Sequence, residues 1–279
     1  MINMALDVAL AIRKECERRG YSERTIESYT SCVLKFILFT GKSVDNLSKN
    51  DALDFLTNLS ERKAAGNTMN VYHMAIRFFL EDILRKNMKL NIKYSRRPEK
   101  IPVFLSKEEV KRLIGKIGNW KHRLMIEVLY GGGLRVSELL NLRVKDLLID
   151  NGYGFIRQGK GRKDRIFVLS KICIDKIKNL IEMEKLSDEN FLFLTNRGEH
   201  YSVRSVQEIV KRATIEAGIK KEVHPHTLRH SFATHLIQNG ASLNEVQTML
   251  GHKSPETSMI YVHMASPSMI NIKSPLDDL

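Results

Sequence analysis

A chain of 279 residues is long enough for two folded domains, and a hydrophobic fraction of 43% is ordinary for a globular protein. No apolar run approaches the roughly 20 residues that cross a bilayer, and Arg13, Lys14, Glu15 and Glu17 directly follow the short apolar start, a pattern that argues against an export signal and for the cytoplasm. The formal net charge of +13 favours a polyanionic partner, while Cys16, Cys32 and Cys173 have no metal-ligand or redox spacing and read as reduced thiols.

The first part of the chain reads as helical. One helix runs from about Met4 to Arg19 and stops at Gly20. A second follows Ser22, carries Ile26, Tyr29, Val33 and Ile37 on one side, and stops at Gly41. A third starts at Ser48, where Asp51 completes a capping box, and its apolar face is Leu53, Phe55, Leu56 and Leu59. A fourth begins after Asn67 with Val71, Met74, Ala75, Phe78, Phe79 and Ile83. Four short amphipathic helices predict a small bundle over residues 1–92, with Cys16 and Cys32 as core fillers.

Residues 93–102 hold two prolines and several charges, and form the expected linker. Its Arg96 and Arg97 can lie along a phosphate backbone or simply be solvated. A second domain, residues 103–279, then opens with a capping box at Ser106 and Glu109. Leu124, Met125, Val128 and Leu129 build a helix face that ends at Gly131, Gly132 and Gly133. These glycines serve as a helix stop and turn, or admit a phosphate close to the backbone.

The β region lies within residues 147–169. Leu147–Ile149 and Tyr153–Ile156 flank the hairpin signal Asp150-Asn151-Gly152, and Arg165–Leu169 supplies a third strand. Lys160, Arg162 and Lys163 fall in the turn between the second and third strands. Helices return from Ser170. The expected fold is mainly α with a small antiparallel β-sheet.

One set of residues points to phosphate chemistry. It comprises Arg135, Lys160, His226, Arg229, His252 and Tyr261. A phosphodiester under attack gathers negative charge, which fixed cations can stabilise without a metal. The planar fork of arginine can meet two phosphate oxygens at once, so Arg135 and Arg229 are the natural pair. Glu138 is a candidate to orient Arg135. A tyrosine hydroxyl with a pKa near 10 needs activation, and His226 is the first candidate for the base. His252 is placed as a hydrogen-bond donor to a phosphate oxygen. Tyr130, Tyr153 and Tyr201 are rival tyrosines that precede the Leu250-Gly251-His252 turn. His226 and His230 stand at i and i+4 as in zinc helices, but Thr-Leu-Arg between them opposes a dication. No metal and no cofactor are expected.

In their order and flanks, Gly133-Leu134-Arg135-Val136-Ser137-Glu138-Leu139 and Pro225-His226-Thr227-Leu228-Arg229-His230 among them, these residues resemble the tyrosine recombinase (integrase) family, and most closely its Xer-type members. The resemblance implies an N-terminal helical DNA core-binding domain and a C-terminal α+β catalytic domain. It implies catalytic roles for Arg135, Lys160, His226, Arg229, His252 and the nucleophile Tyr261, with Lys160 as general acid and Lys163 as its rival. Val262-His263 departs slightly from the Thr-His that often follows the nucleophile. Double-stranded DNA with a specific site is the implied partner, contacted in part by Arg162, Lys163, Arg96 and Arg97. Four protomers on two duplexes would exchange strands through a 3′-phosphotyrosine and a Holliday junction. The tail, residues 266–279, would dock beside a neighbouring protomer. Chromosome dimer resolution is the expected role. Integration of a mobile element, type IB topoisomerase-like relaxation and non-catalytic DNA binding are the alternatives.

Overall fold

The computed structural model describes residues 2–86, 102–157 and 164–251. Arg96, Arg97, Lys160, Arg162, Lys163, His252 and Tyr261 lie outside the described residues. The chain divides into two compact units, Met1–Glu99 and Lys100–Leu279.

The first unit is built from α1 (Ile2–Arg18), α2 (Glu23–Thr40), α3 (Lys49–Glu61) and α4 (Gly66–Arg77). Its helix boundaries follow from local chemistry. The Ser22 side chain accepts from the Thr25 amide at the start of α2, and Gly41 closes that helix in the left-handed region at φ 64°. Ser48 and Asp51 form the expected capping box on α3. Ile12, Cys16, Val33, Phe36, Phe55 and Ile76 are buried in the shared core.

The fourth helix departs from the expected face. Val71 and Met74 are exposed, while His73, Ala75 and Ile76 are buried. The helix then passes into a π-helical turn at Phe78–Ile83. The extra residue per turn shifts the register, so Phe78, Phe79 and Leu80 are all buried in succession.

The second unit contains α5 (Lys107–Gly115), α6 (Trp120–Gly131), α7 (Val136–Leu140), β1 (Leu147–Leu148), β2 (Tyr153–Ile156), β3 (Arg165–Val168), α8 (Lys171–Glu184), α9 (Val203–Glu216), α10 (Pro225–Gln238) and α11 (Leu243–Leu250). The strands form one antiparallel sheet in the order β1-β2-β3. The fold is thus mainly α with a small sheet. Ile149 falls in a short 3-10 turn rather than in a strand, and that turn ends at Gly152 with φ 76°.

Phe167 anchors the sheet to the helices. It pairs with Gly154 across β2 and β3. A Cβ on Gly154 would lie 2.6 Å from the Phe167 ring, and one on Gly132 would lie 2.8 Å from it. The close approach that these glycines permit is therefore to an aromatic ring. Helix α10 runs through the interior of the unit, and Thr227, Leu228, Arg229, Ser231, Phe232, Ala233, Thr234 and His235 are all buried. Its polar groups find partners nearby. The Ser231 hydroxyl donates to the Thr227 carbonyl and accepts from the Leu105 amide, and the Thr234 hydroxyl donates to the His230 carbonyl.

Candidate active site

The site grows from the turn between α6 and α7. Gly133 has φ +57°, and a Cβ there would overlap the Phe232 ring of α10. The glycine lets α10 press against the turn, which delivers Arg135 at the amino end of α7. The Arg135 side chain keeps 20% of its surface exposed, whereas that of Glu138 keeps 5%.

Glu138 is the hub of a buried charge cluster. Its carboxylate accepts from the Arg135 amide at 2.8 Å and from the Arg135 guanidinium. It accepts from Arg165 Nη2 at 2.6 Å, and Arg229 Nη1 lies 3.6 Å away. Burial pushes the Glu138 carboxyl up, but Arg165, the Arg135 amide, Arg229 and Arg135 together outweigh it and hold the group below its ordinary range. Three guanidinium groups around one carboxylate leave an excess of positive charge. The expected pairing of Glu138 with Arg135 is present.

Arg229 is buried in α10, and its guanidinium bridges two backbone segments. Its Nη1 donates to the Gly133 carbonyl and its Nη2 to the Leu250 carbonyl. The fork thus joins the α6–α7 turn to the end of α11.

His226 stands in the first turn of α10, one turn before Arg229. It lies at the surface, so the desolvation that chiefly lowers its pKa is only partial, and the positive charges of Arg229 and Arg135 add to it. Both effects keep the imidazole neutral and able to accept a proton. His230 lies deeper, and burial, then His226 and Arg229, push it down to about 4.

The rival tyrosines are engaged elsewhere. The Tyr130 hydroxyl pairs with His235 Nδ1 at 2.8 Å, and Tyr201 pairs with His122 Nε2 at 3.1 Å. Burial raises the pKa of both hydroxyls, the wrong direction for a nucleophile. Tyr153 packs edge-on against Phe155.

Sequence reasoning missed Arg165. The signal was available, because strand alternation puts Arg165 on the same face as buried Phe167. An arginine on a buried face calls for a carboxylate partner.

Residues 103–267 match the model described as the phage integrase family, and residues 9–90 match the phage integrase N-terminal SAM-like domain. The chain belongs to the phage integrase family. It is an enzyme of the tyrosine recombinase class, which cleaves and rejoins DNA. A tyrosine recombinase of Thermosipho africanus (strain TCF52B) is 36% identical over 260 residues, covering 88% of this chain and 91% of the relative. The tyrosine recombinase XerD of Oceanobacillus iheyensis is 34% identical over 267 residues, covering 88% of this chain and 89% of the relative. The crystal structure of XerH site-specific recombinase bound to palindromic difH substrate, a post-cleavage complex, is similar with a TM-score of 0.71 and 29% identity, covering 92% of this chain and 82% of that one.

Proposed function

We propose that this site-specific recombinase resolves chromosome dimers as a Xer-type enzyme, acting in the cytoplasm as four protomers on two copies of a specific DNA site. The XerD relative and the likeness to XerH on its difH substrate support that role. The observation that carries the chemistry is the partly exposed Arg135 held by buried Glu138 and Arg229, beside neutral His226. It is a preorganised, positively charged frame suited to a phosphodiester in transition.

Arg135 meets the scissile phosphate, and Arg229 supplies charge from beneath. His226 accepts the proton of the Tyr261 hydroxyl as its oxygen attacks phosphorus. A 3′-phosphotyrosine forms, and the 5′-oxygen leaves with a proton from Lys160. His252 donates to a non-bridging oxygen. The 5′-hydroxyl of the partner duplex then attacks the phosphotyrosine and releases Tyr261. The bond energy is conserved in the linkage, so the reaction uses no nucleotide triphosphate, and the arginines carry the developing charge in place of a metal. The helical bundle of residues 1–92 binds the core site, with residues 93–102 as the linker to the catalytic domain of residues 103–279. Arg96, Arg97, Arg162 and Lys163 contact the phosphate backbone.

The test is a nicked suicide duplex that traps covalent protein–DNA product in EDTA. Wild-type protein forms the adduct. Tyr261→Phe binds with nearly unchanged affinity and forms none, since only a hydroxyl is lost. An adduct with the Phe variant would assign the nucleophile elsewhere. Sequencing of DNA bound in the host separates the roles: a single chromosomal site supports resolution, and the ends of a mobile element support integration.

A further inference from the structure

Arg165 opens β3, immediately after the basic turn that carries Lys160 in the sequence. Its side chain is 8% exposed. The guanidinium joins two elements that local sequence does not bring together. Nη2 donates to Glu138 Oε2 at 2.6 Å, and Nη1 donates to the Met249 carbonyl at 2.6 Å. Met249 belongs to the last turn of α11, which Gly251 caps at φ 62°. The carbonyls of a helix end lack helical partners and carry partial negative charge, so a cation is favoured there. A Cβ on Gly251 would lie 2.8 Å from Arg165 Cδ, so the missing side chain lets the arginine stem lie against the cap. From this cap the sequence runs directly to His252 and then to Tyr261.

We infer that Arg165 is a positioning residue, tying the carboxyl end of α11, and so the origin of the segment bearing His252 and Tyr261, to the Glu138 carboxylate that orients Arg135. The inference rests on the reading of Tyr261 as nucleophile. Lysine is a poor replacement, because it lacks the rigid fork that aims two separate nitrogens, one at Glu138 and one at Met249. A nucleophile misplaced by about 1 Å loses on the order of a hundredfold in rate, which sets the sensitivity of the device.

The experiment compares Arg165→Lys and Gly251→Ala in the full chain. The probe is a nicked duplex carrying the site that wild-type protein selects from a random-sequence DNA pool. Single-turnover adduct formation and duplex affinity are measured separately, and circular dichroism establishes folding. In both variants the rate falls about tenfold or more while affinity stays within about twofold. The loss is equally large on a 5′-bridging phosphorothiolate, whose leaving group needs no general acid. A rate near wild type in either folded variant overturns the inference. So does a loss of affinity that matches the loss of rate, and so does full rescue by the phosphorothiolate. If Arg165→Lys does not fold, Gly251→Ala decides, since Gly251 is at the surface and its substitution removes no charge while it displaces the Arg165 stem. An adduct that survives Tyr261→Phe is a distinct failure, that of the nucleophile assignment.

Discussion

Glu138→Ala tests whether the charge hub holds the catalytic unit together. The wild-type carboxylate is 5% exposed and answers Arg165, which is 8% exposed, and Arg229, which is 4% exposed. Alanine leaves both guanidinium groups buried without their counter-ion and removes the acceptor of the Arg135 amide. Breaking one side of a buried ion pair costs about 3–5 kcal/mol. For a unit of this size each kcal/mol lowers Tm by roughly 2–4 °C, so its melting transition falls by about 6–20 °C. Glu138→Gln keeps the shape and one carbonyl oxygen, and falls by about half as much. The pH dependence has a definite sign. The folded carboxyl titrates below its ordinary value, so its contribution is full above the unfolded pKa of about 4.3 and is lost as pH falls through the lower folded value. The gap between wild type and Glu138→Ala therefore narrows below about pH 4. Calorimetry at neutral and acid pH reads both effects. A melting temperature for Glu138→Ala within about 2 °C of wild type at pH 7 would refute the reasoning.

Gly133→Ala combines a left-handed φ of +57° with overlap of the Phe232 ring. It costs about 2–5 kcal/mol by urea unfolding, and Phe232→Leu in the same chain recovers part of that. His230 titrates near 4 in the folded state because burial disfavours its charged form. Its stabilising contribution is full above the unfolded value of about 6.5 and declines as pH falls from there to about 4, by about 3 kcal/mol in total. His230→Gln flattens that slope, and an unchanged slope would show that another group causes it. Lys160→Ala slows cleavage of ordinary DNA far more than cleavage of a 5′-bridging phosphorothiolate, measured by single-turnover adduct formation. Equal defects would pass the general-acid role to Lys163.

The sequence alone determines where the first helices begin and end and that the second unit carries a three-stranded sheet. Ser22, Ser48 and Ser106 announce their caps within three residues, and Gly41 announces its stop, because those hydrogen bonds are local. The family is equally legible, since the residue types and flanks around Arg135 and around His226 and Arg229 carry that resemblance, and the match to the phage integrase family bears it out. Other features depend on distant partners. The π-helical turn that buries Phe78, Phe79 and Leu80 answers packing within the first core. The burial of α10 is hidden because Ser231 and Thr234 look like surface residues until their hydroxyls are seen bonded to carbonyls one turn back. Only tertiary structure decides what the arginines do. Arg165 meets Glu138 across 27 residues of chain, and Arg229 meets Gly133 across 96. No periodicity encodes such separations. They are set when the hairpin, the α6–α7 turn and the end of α11 close on one another, and the buried guanidinium groups then take the acceptors that closure provides.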